Sequence, residues 1–346
     1  MFPKQDLSYR PISLNNMLSR IVSKVLAIRL KKILPHIDSM SQNAFLPDRL
    51  ITNNVLVTFE TMHCINQWSK GKEGLMAIKL DMSKAFDQIE WSCIERIMEK
   101  LGFHDRWMSL MMICIKSVSY SVLLNGVPKC LIHSTRGIWR GDPISPYLFL
   151  LCGDGLSAMQ KREESLGHIN GILVCRRAPR ISHLLLTNDS LIFCRANMTE
   201  CFDIWTILRE YEMASGQKMN REKTSLFFNK NTTMEVQDSI IGKNIPVIKQ
   251  HEKYLGLPSL VSKGKKKAFN KIKDQMGKKI AGWKGKLLSC AGRETLIKAV
   301  AQATPTYSIS CFKLLDSLCK ELRALISRFW WGQKKGWEKA SVDCLG

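Results

Sequence analysis

Asp81 stands where a metal-binding carboxylate belongs. It closes the apolar run Met76-Ala77-Ile78-Lys79-Leu80, and the chain turns polar and acidic at once, through Met82-Ser83-Lys84-Ala85-Phe86-Asp87. A short apolar run of this kind fits a buried strand better than a helix. An acidic side chain at the end of such a strand offers the hard oxygen donors that Mg2+ prefers and shares with substrate phosphates. A lone Asp there more often N-caps the next segment. A second chemical string is Arg136-Gly137-Ile138-Trp139-Arg140-Gly141-Asp142-Pro143-Ile144-Ser145-Pro146. Gly137 and Gly141 permit close backbone approach, and Asp142 with Pro143 predicts a helix start whose dipole favours an anion. The same string fits a tight loop capping a core helix.

The elements around these residues follow from spacing. Leu18, Ile21, Val22, Val25, Leu26, Leu30, Ile33 and Leu34 predict a long amphipathic helix that Pro35 ends. After Asp81 the pattern changes near Gln88, and Ile89, Ile94, Ile97 and Met98 predict a helix. Helical material continues over Trp107 to Ile115. Ser119 to Leu124, the pair Asn125-Gly126 and Cys130 to His133 spell a hairpin. His183 to Leu186 and Leu191 to Cys194 are apolar runs around a polar centre. They predict a second hairpin with its turn at Thr187 to Ser190, tipped by Asp189. Phe202, Trp205, Leu208 and Tyr211 predict a helix ending near Ala214 to Lys218, before a strand at Thr224 to Phe228.

The 346 residues suffice for a large core and suggest two or so compact units. Lys and Arg number 52 against 30 Asp and Glu, a net +22, which points to a polyanionic partner such as nucleic acid. No apolar run is long enough for a membrane span, and the first twenty residues lack a secretory block. The expectation is an intracellular, non-secreted protein of nucleus or cytoplasm. Twelve Cys without a C-x-x-C pair read as scattered reduced thiols, excluding a zinc site and a disulfide frame. The acceptor patterns Asn197-Met198-Thr199 and Asn231-Thr232-Thr233 are then chance matches. Composition shifts at Val261: residues 261–288 hold ten Lys and one Asp. Phe269, Ile272, Met276, Ile280, Trp283 and Leu287 recur at spacings of three and four, predicting one helix with an apolar stripe and a Lys face. A charge run is usually only a solvated face. Helices around Leu296 to Val300 and Leu315 to Trp330 follow, and Phe329-Trp330-Trp331 reads as packing.

The strings together resemble one family. Lys79-Leu80-Asp81 with Ala85-Phe86-Asp87 resembles the first catalytic motif of reverse transcriptases of non-LTR, LINE-type retrotransposons, those of plants above all. Tyr9-Arg10-Pro11-Ile12-Ser13, and Ser41 to Phe45 with Arg49 and Asn53-Asn54, look like its fingers. The Gly141-Asp142-Pro143-x-Ser145-Pro146 string, the Asp189 hairpin and Ser215-Gly216-Gln217-Lys218-x-Asn220-x-x-Lys223 follow in the family's order. The resemblance implies an α+β right-hand polymerase, with an antiparallel palm sheet packed on helices. Its regions would be partial fingers (1–75), palm with finger insert segments (76–260), and a helical thumb with C-terminal tail (261–346). Met1 lies nine residues before Arg10, so part of the fingers is expected to be missing. Endonuclease and Cys/His segments, common in such elements, are not visible.

The resemblance also implies roles. Asp81 and Asp189 would hold two Mg2+ ions. Arg10 would face the nucleotide triphosphate, Phe86 would screen the ribose 2′-hydroxyl, and Arg140 with Gly141 would line the nucleotide site. Lys223 would protonate the leaving pyrophosphate. Tyr254 and Gly256, in Tyr254-Leu255-Gly256-Leu257-Pro258, would grip the primer, and Lys265, Lys266, Lys267, Lys271, Lys278 and Lys279 would track the duplex. Substrates would be an RNA template, a DNA primer and deoxynucleoside triphosphates. Two positions depart from the pattern: Arg140 replaces Gln, and Leu186-Thr187-Asn188-Asp189 replaces aromatic-Ala-Asp-Asp. Asn188 leaves two carboxylates where three would neutralise the ions. Losing about 3 kcal/mol there slows chemistry on the order of 10²-fold. The expectation is an impaired or inactive RNA-directed DNA polymerase. A non-catalytic nucleic-acid-binding protein and a retroelement relic without a role remain open alternatives.

Overall fold

Strand β1 (Leu75–Ser83) carries Met76, Ile78 and Leu80 on one face, all fully buried, while Lys79, Asp81 and Ser83 on the other are half-buried. That alternation is what a strand with one face on a core requires. The computed structural model describes residues 16–37, 49–68, 74–186, 189–241, 254–255, 257, 265–283 and 288–331. The chain divides into two compact units, Met1–His251 and Glu252–Gly346. Among the described residues no helix is long and apolar enough to cross a membrane.

The first unit begins with helices α1 (Met17–Ile37) and α2 (Ile51–Gln67), then β1. Helices α3 (Trp91–Lys100) and α4 (Asp105–Lys116) follow, then the hairpin of β2 (Ser119–Leu124) and β3 (Val127–His133). Asn125 and Gly126 turn that hairpin at φ +51° and +81°, the conformations an Asn-Gly pair tolerates. Next come α5 (Ser145–Ser165), the short pair β4 (Ile172–Leu173) and β5 (Arg180–Ile181), then β6 (His183–Leu186) and β7 (Asp189–Arg195). Helix α6 (Met198–Ser215), β8 (Lys218–Met219), β9 (Ser225–Phe228) and α7 (Met234–Ile241) complete the unit.

Five strands form one antiparallel sheet in the order β6-β7-β1, with β8 and β9 sharing the far side of β1. His183, Ile192, Ile78 and Leu226 lie side by side across it. His183 Nε2 meets Ser157 Oγ of α5 at 2.8 Å, so α5 covers this face. Asp81 and Lys79 alternate onto the opposite face.

Four sequence expectations shift. In α1 the helix runs past Pro35 to Ile37, because a proline in the last turn removes only one helical bond. Its buried stripe is Ser23, Leu26, Ala27, Leu30 and Leu34, while Leu18, Ile21, Val22, Val25 and Ile33 are exposed. Ser23 is inside because its hydroxyl donates to the buried carboxylate of Asp142 at 2.7 Å. Helix α5 starts at Ser145, with Pro146 in its first turn; Asp142 precedes it and accepts from Ile144 N at 3.3 Å. Asp142 therefore fills the place an anion was expected to take. The Asp189 turn is tighter than expected: Leu186 pairs with Asp189, so Asp189 and Ser190 already belong to β7.

The second unit is helical: α8 (Lys265–Gly282), α9 (Cys290–Leu296), a π-helical turn at Ile297–Ala301, α10 (Ala303–Cys311) and α11 (Asp316–Trp331). Phe269, Ile272 and Met276 of α8 pack with Ala301, Leu314, Leu318 and Leu322, and Ile280 and Trp283 join them. This is the stripe the spacing predicts. The helix stops at Gly282, however, and Leu287 lies outside the described residues. Trp283 meets Phe329 edge-on at 5.0 Å, so Phe329 is packing, while Trp331 is largely exposed.

Candidate active site

The register of β1 against β7 places Asp81 directly opposite Asp189. Residues directly opposite in an antiparallel pair share a face, with Cβ atoms roughly 4.5–5.5 Å apart. Like charges so placed are destabilising on their own, and a cation between them relieves that. Both side chains are half-buried. The ladder that aligns them runs seven pairs from Leu75–Arg195 to Asp81–Asp189, so core pairs such as Ile78–Ile192 set the carboxylates' register. A one-residue slip would send one of them to the α5 side. Two carboxylates suit a hard divalent cation completed by phosphate oxygens and water. Among the described residues no cluster of three or more His, Cys, Asp or Glu could hold a metal; Asn188, next to Asp189, lies outside them.

Asp81 is braced from the other side of β1. Its amide N–H donates to Thr224 Oγ1 at 3.3 Å, and its carbonyl accepts from Asn220 N–H at 2.7 Å. Asn220 Oδ1 in turn accepts from the backbone N–H of Lys223 at 3.3 Å. Lys223 is exposed on this same turn, so one short segment ties the expected general acid to the backbone of the expected metal ligand. The bonds that Asn220 and Thr224 make to Asp81 were not foreseen, although Asn220 belongs to the Ser215 to Lys223 string and Thr224 opens the expected strand. The signal available was that string itself, whose Gly216 ends α6.

Phe86 sits in the loop 84–90 that leaves β1, and two distant strings grip that loop. Ile138 N–H donates to Phe86 O at 2.9 Å and Gly137 N–H to Ile89 O at 2.7 Å. Gln217 Nε2 donates to Ala85 O at 2.9 Å, and Glu90 N–H to Ser215 O at 2.8 Å. Two glycines make the approach possible. A Cβ on Gly137 (φ +89°) would stand 2.8 Å from Asp87 O, and one on Gly216 (φ +75°) 2.6 Å from Gln88 O. Gln217 is itself oriented by the buried Tyr211 hydroxyl, which donates to its Oε1 at 2.5 Å. Burial holds that phenol well above its ordinary range, so it stays a donor. The Phe86 ring stacks on Phe149 of α5, centroids 4.5 Å apart and planes within 6°. Arg140 places its guanidinium over the same ring, 5.9 Å from the centroid. Gly141, next in line, is exposed at φ +100°.

The structure thus brings Asp81, Asp189, Phe86 and Arg140 together on one end of the sheet and its first loop, with Lys223 one turn away. Arg10, Asn188, Gly256 and the side chains of Lys265, Lys266 and Lys267 lie outside the described residues. Tyr254 pairs with Leu257 through reciprocal backbone bonds of 2.8 and 3.0 Å, a tight turn. Its side chain is only 2% exposed. In α8, Lys271, Lys278 and Lys279 are exposed, whereas Lys273 is paired with Glu321 at 2.6 Å.

The chain is similar to several known proteins. The reverse transcriptase (RNA-dependent DNA polymerase) family matches residues 2–259. An uncharacterized mitochondrial protein of Arabidopsis thaliana is 35% identical over 107 residues, 31% of this chain and 86% of its own. The transposon TX1 149 kDa protein of Xenopus laevis is 22% identical over 98% of this chain, and the Pol polyprotein of the R2DM retrotransposable element of Drosophila melanogaster 25% identical over 73%. The chain spans about a quarter of the length of each of these two (25% and 24%). An apo telomerase from Candida tropicalis aligns at TM-score 0.44 and 14% identity, over 61% of this chain and 40% of its own. With residues 2–259, three quarters of its length, matched, the chain is a member of the reverse transcriptase (RNA-dependent DNA polymerase) family, with an α+β right-hand polymerase fold.

Proposed function

We propose that this chain is the polymerase part of a LINE-type element, built for nucleotidyl transfer to a DNA primer 3′-hydroxyl on an RNA template. The observation that carries this reading is the in-register opposition of Asp81 and Asp189. These two carboxylates would hold Mg2+, which when bound polarises the attacking and leaving oxygens. Asp81 and Asp189 fix the position of that charge through the β1–β7 ladder. Phe86, clamped by Phe149 and by the backbone bonds to its loop, presents a rigid wall to the ribose. Gly141 leaves its backbone open to the nucleotide, Arg10 and Arg140 meet the phosphates, and Lys223 supplies a proton to the leaving pyrophosphate. The first unit would serve as palm with partial fingers and the second as thumb, its exposed Lys271, Lys278 and Lys279 following duplex phosphates.

Asn188 sets the level of activity. With two carboxylates in place of three, incorporation is expected to be on the order of 10²-fold below that of a full site. Primer extension on an RNA template tests this directly: Asn188→Asp should raise Mg2+-dependent incorporation, and Asp81→Ala should abolish it. Template binding without incorporation, unchanged by Asn188→Asp, would instead support the second reading, a non-catalytic nucleic-acid binder. The two-carboxylate site and the Lys face of α8 favour that as the alternative.

A further inference from the structure

Arg140 has an unusual setting. It is half-buried, it lies over the Phe86 ring, and among the described residues its guanidinium makes no hydrogen bond or ion pair. A cation held over a ring by the ring's quadrupole spends none of its N–H donors on that contact. The ring beneath is immobile, because Phe149 closes against it and Ile138 N–H holds Phe86 O. The side chain therefore surrenders little rotamer freedom on meeting an anion, and its charge persists at every ordinary pH. At the end of the strand that leads into the Phe86 loop, the carboxylate set is reduced to Asp81 and its cross-strand partner Asp189, so it attracts divalent cations less strongly than three acids would. A polyphosphate entering here meets one permanent cation already in place.

We propose that Arg140, preorganised on Phe86, is a resident cation for the phosphates of a nucleoside triphosphate, so that this chain binds nucleotide without a divalent metal. The proposal rests on the polymerase reading of the cleft. It goes beyond it in making Arg140 and Phe86 one binding unit and in uncoupling nucleotide affinity from metal.

Equilibrium dialysis of the full chain with radiolabelled dTTP, in EDTA and in Mg2+, tests it. The wild type should bind in EDTA. Arg140→Gln should weaken that binding roughly ten- to hundredfold, the range for one charge-assisted hydrogen-bonding group. Arg140→Lys, which keeps the charge but not the planar guanidinium, should fall between, and Phe86→Ala should weaken binding while Arg140 is still present. The half-exposed Arg140→Gln should melt at the wild-type temperature, which separates lost binding from lost folding. Binding that requires Mg2+, or an Arg140→Gln protein that binds in EDTA as well as wild type, overturns the proposal alone. No dTTP binding in either condition, by a chain that still retains primer–template, overturns the nucleotide-site reading beneath it as well.

Discussion

The carboxylate end of the sheet and the lysine face of α8, both proposed to meet polyanions, are built in opposite ways. At the sheet, two like charges are held opposite each other by a seven-pair ladder, by Thr224 and Asn220 on Asp81, and by two glycines packed on the next loop. At α8, Lys271, Lys278 and Lys279 stand in solvent over a helix whose other face packs into a small core. Aligning oxygens about a metal and a phosphate fails with displacements of an ångström or so, whereas neutralising a phosphate backbone needs only charge nearby. One region therefore concentrates backbone constraints and the other concentrates charge.

The largest effect expected from breaking this contrast is at the glycines. Gly137→Ala and Gly216→Ala each force a side chain into a positive-φ backbone and against a carbonyl oxygen closer than 3 Å. Each should cost about 3 kcal/mol of stability, read as a fall in denaturant midpoint, with dTTP binding falling before RNA binding does. An alanine at either place with wild-type stability would mean the loop is not gripped as described.

Next comes His183, which ties the sheet to α5 between Ser157 and Ser182. Burial, then the nearby charge of Lys161, lowers its pKa to about 4. The unfolded chain takes up this proton near 6.5, so as pH falls from 6.5 to 4 only the unfolded state is protonated and is favoured. Stability is lost on acidification through that window, by up to about 3 kcal/mol at 1.36 kcal/mol per unit. Denaturant midpoints from pH 7.5 to 4 should fall less steeply for His183→Gln than for wild type. Parallel slopes would show that the imidazole titrates freely in the fold.

The same contrast explains what was legible in the residues. The strand ending at Asp81, the hairpin tipped by Asp189 and the α8 stripe are local patterns of period two or near 3.6, and they read directly. What holds Asp81 in place does not read this way. Thr224 bonds to it across 143 residues, and Ser23 bonds to Asp142 across 119. No local periodicity encodes such pairings. The α1 stripe misled for a related reason: its apolar residues run round most of the helix, and the buried side is chosen by a serine with a distant partner. Likewise Asp142 looked like a helix start because Pro143 follows it. Its carboxylate is instead occupied by Ser23 and by the Ile144 amide, which moves the first turn to Ser145.

The smallest effects belong to the lysine face, and they sharpen the contrast from its other side. Among the described residues, Lys271→Ala, Lys278→Ala and Lys279→Ala combined remove no member of the α8 core and lose only the 3.3 Å bond from Lys279 to Thr304. Exposed changes of this kind stay within about 0.5 kcal/mol of stability each. Their signature is in the salt dependence of duplex binding, whose log–log slope should become shallower by roughly 0.9 for each phosphate contact removed. Lys273 is the internal control. Its ammonium already sits 2.6 Å from Glu321, so Lys273→Ala takes away a locally neutralised charge and should leave the slope nearly unchanged. If Lys273→Ala flattened the slope as much as the exposed lysines do, the ion pair must open on binding and placement would matter on this face too. If the triple variant left the slope alone, the charge that draws nucleic acid lies elsewhere than α8, and the second unit would owe its lysines to solubility.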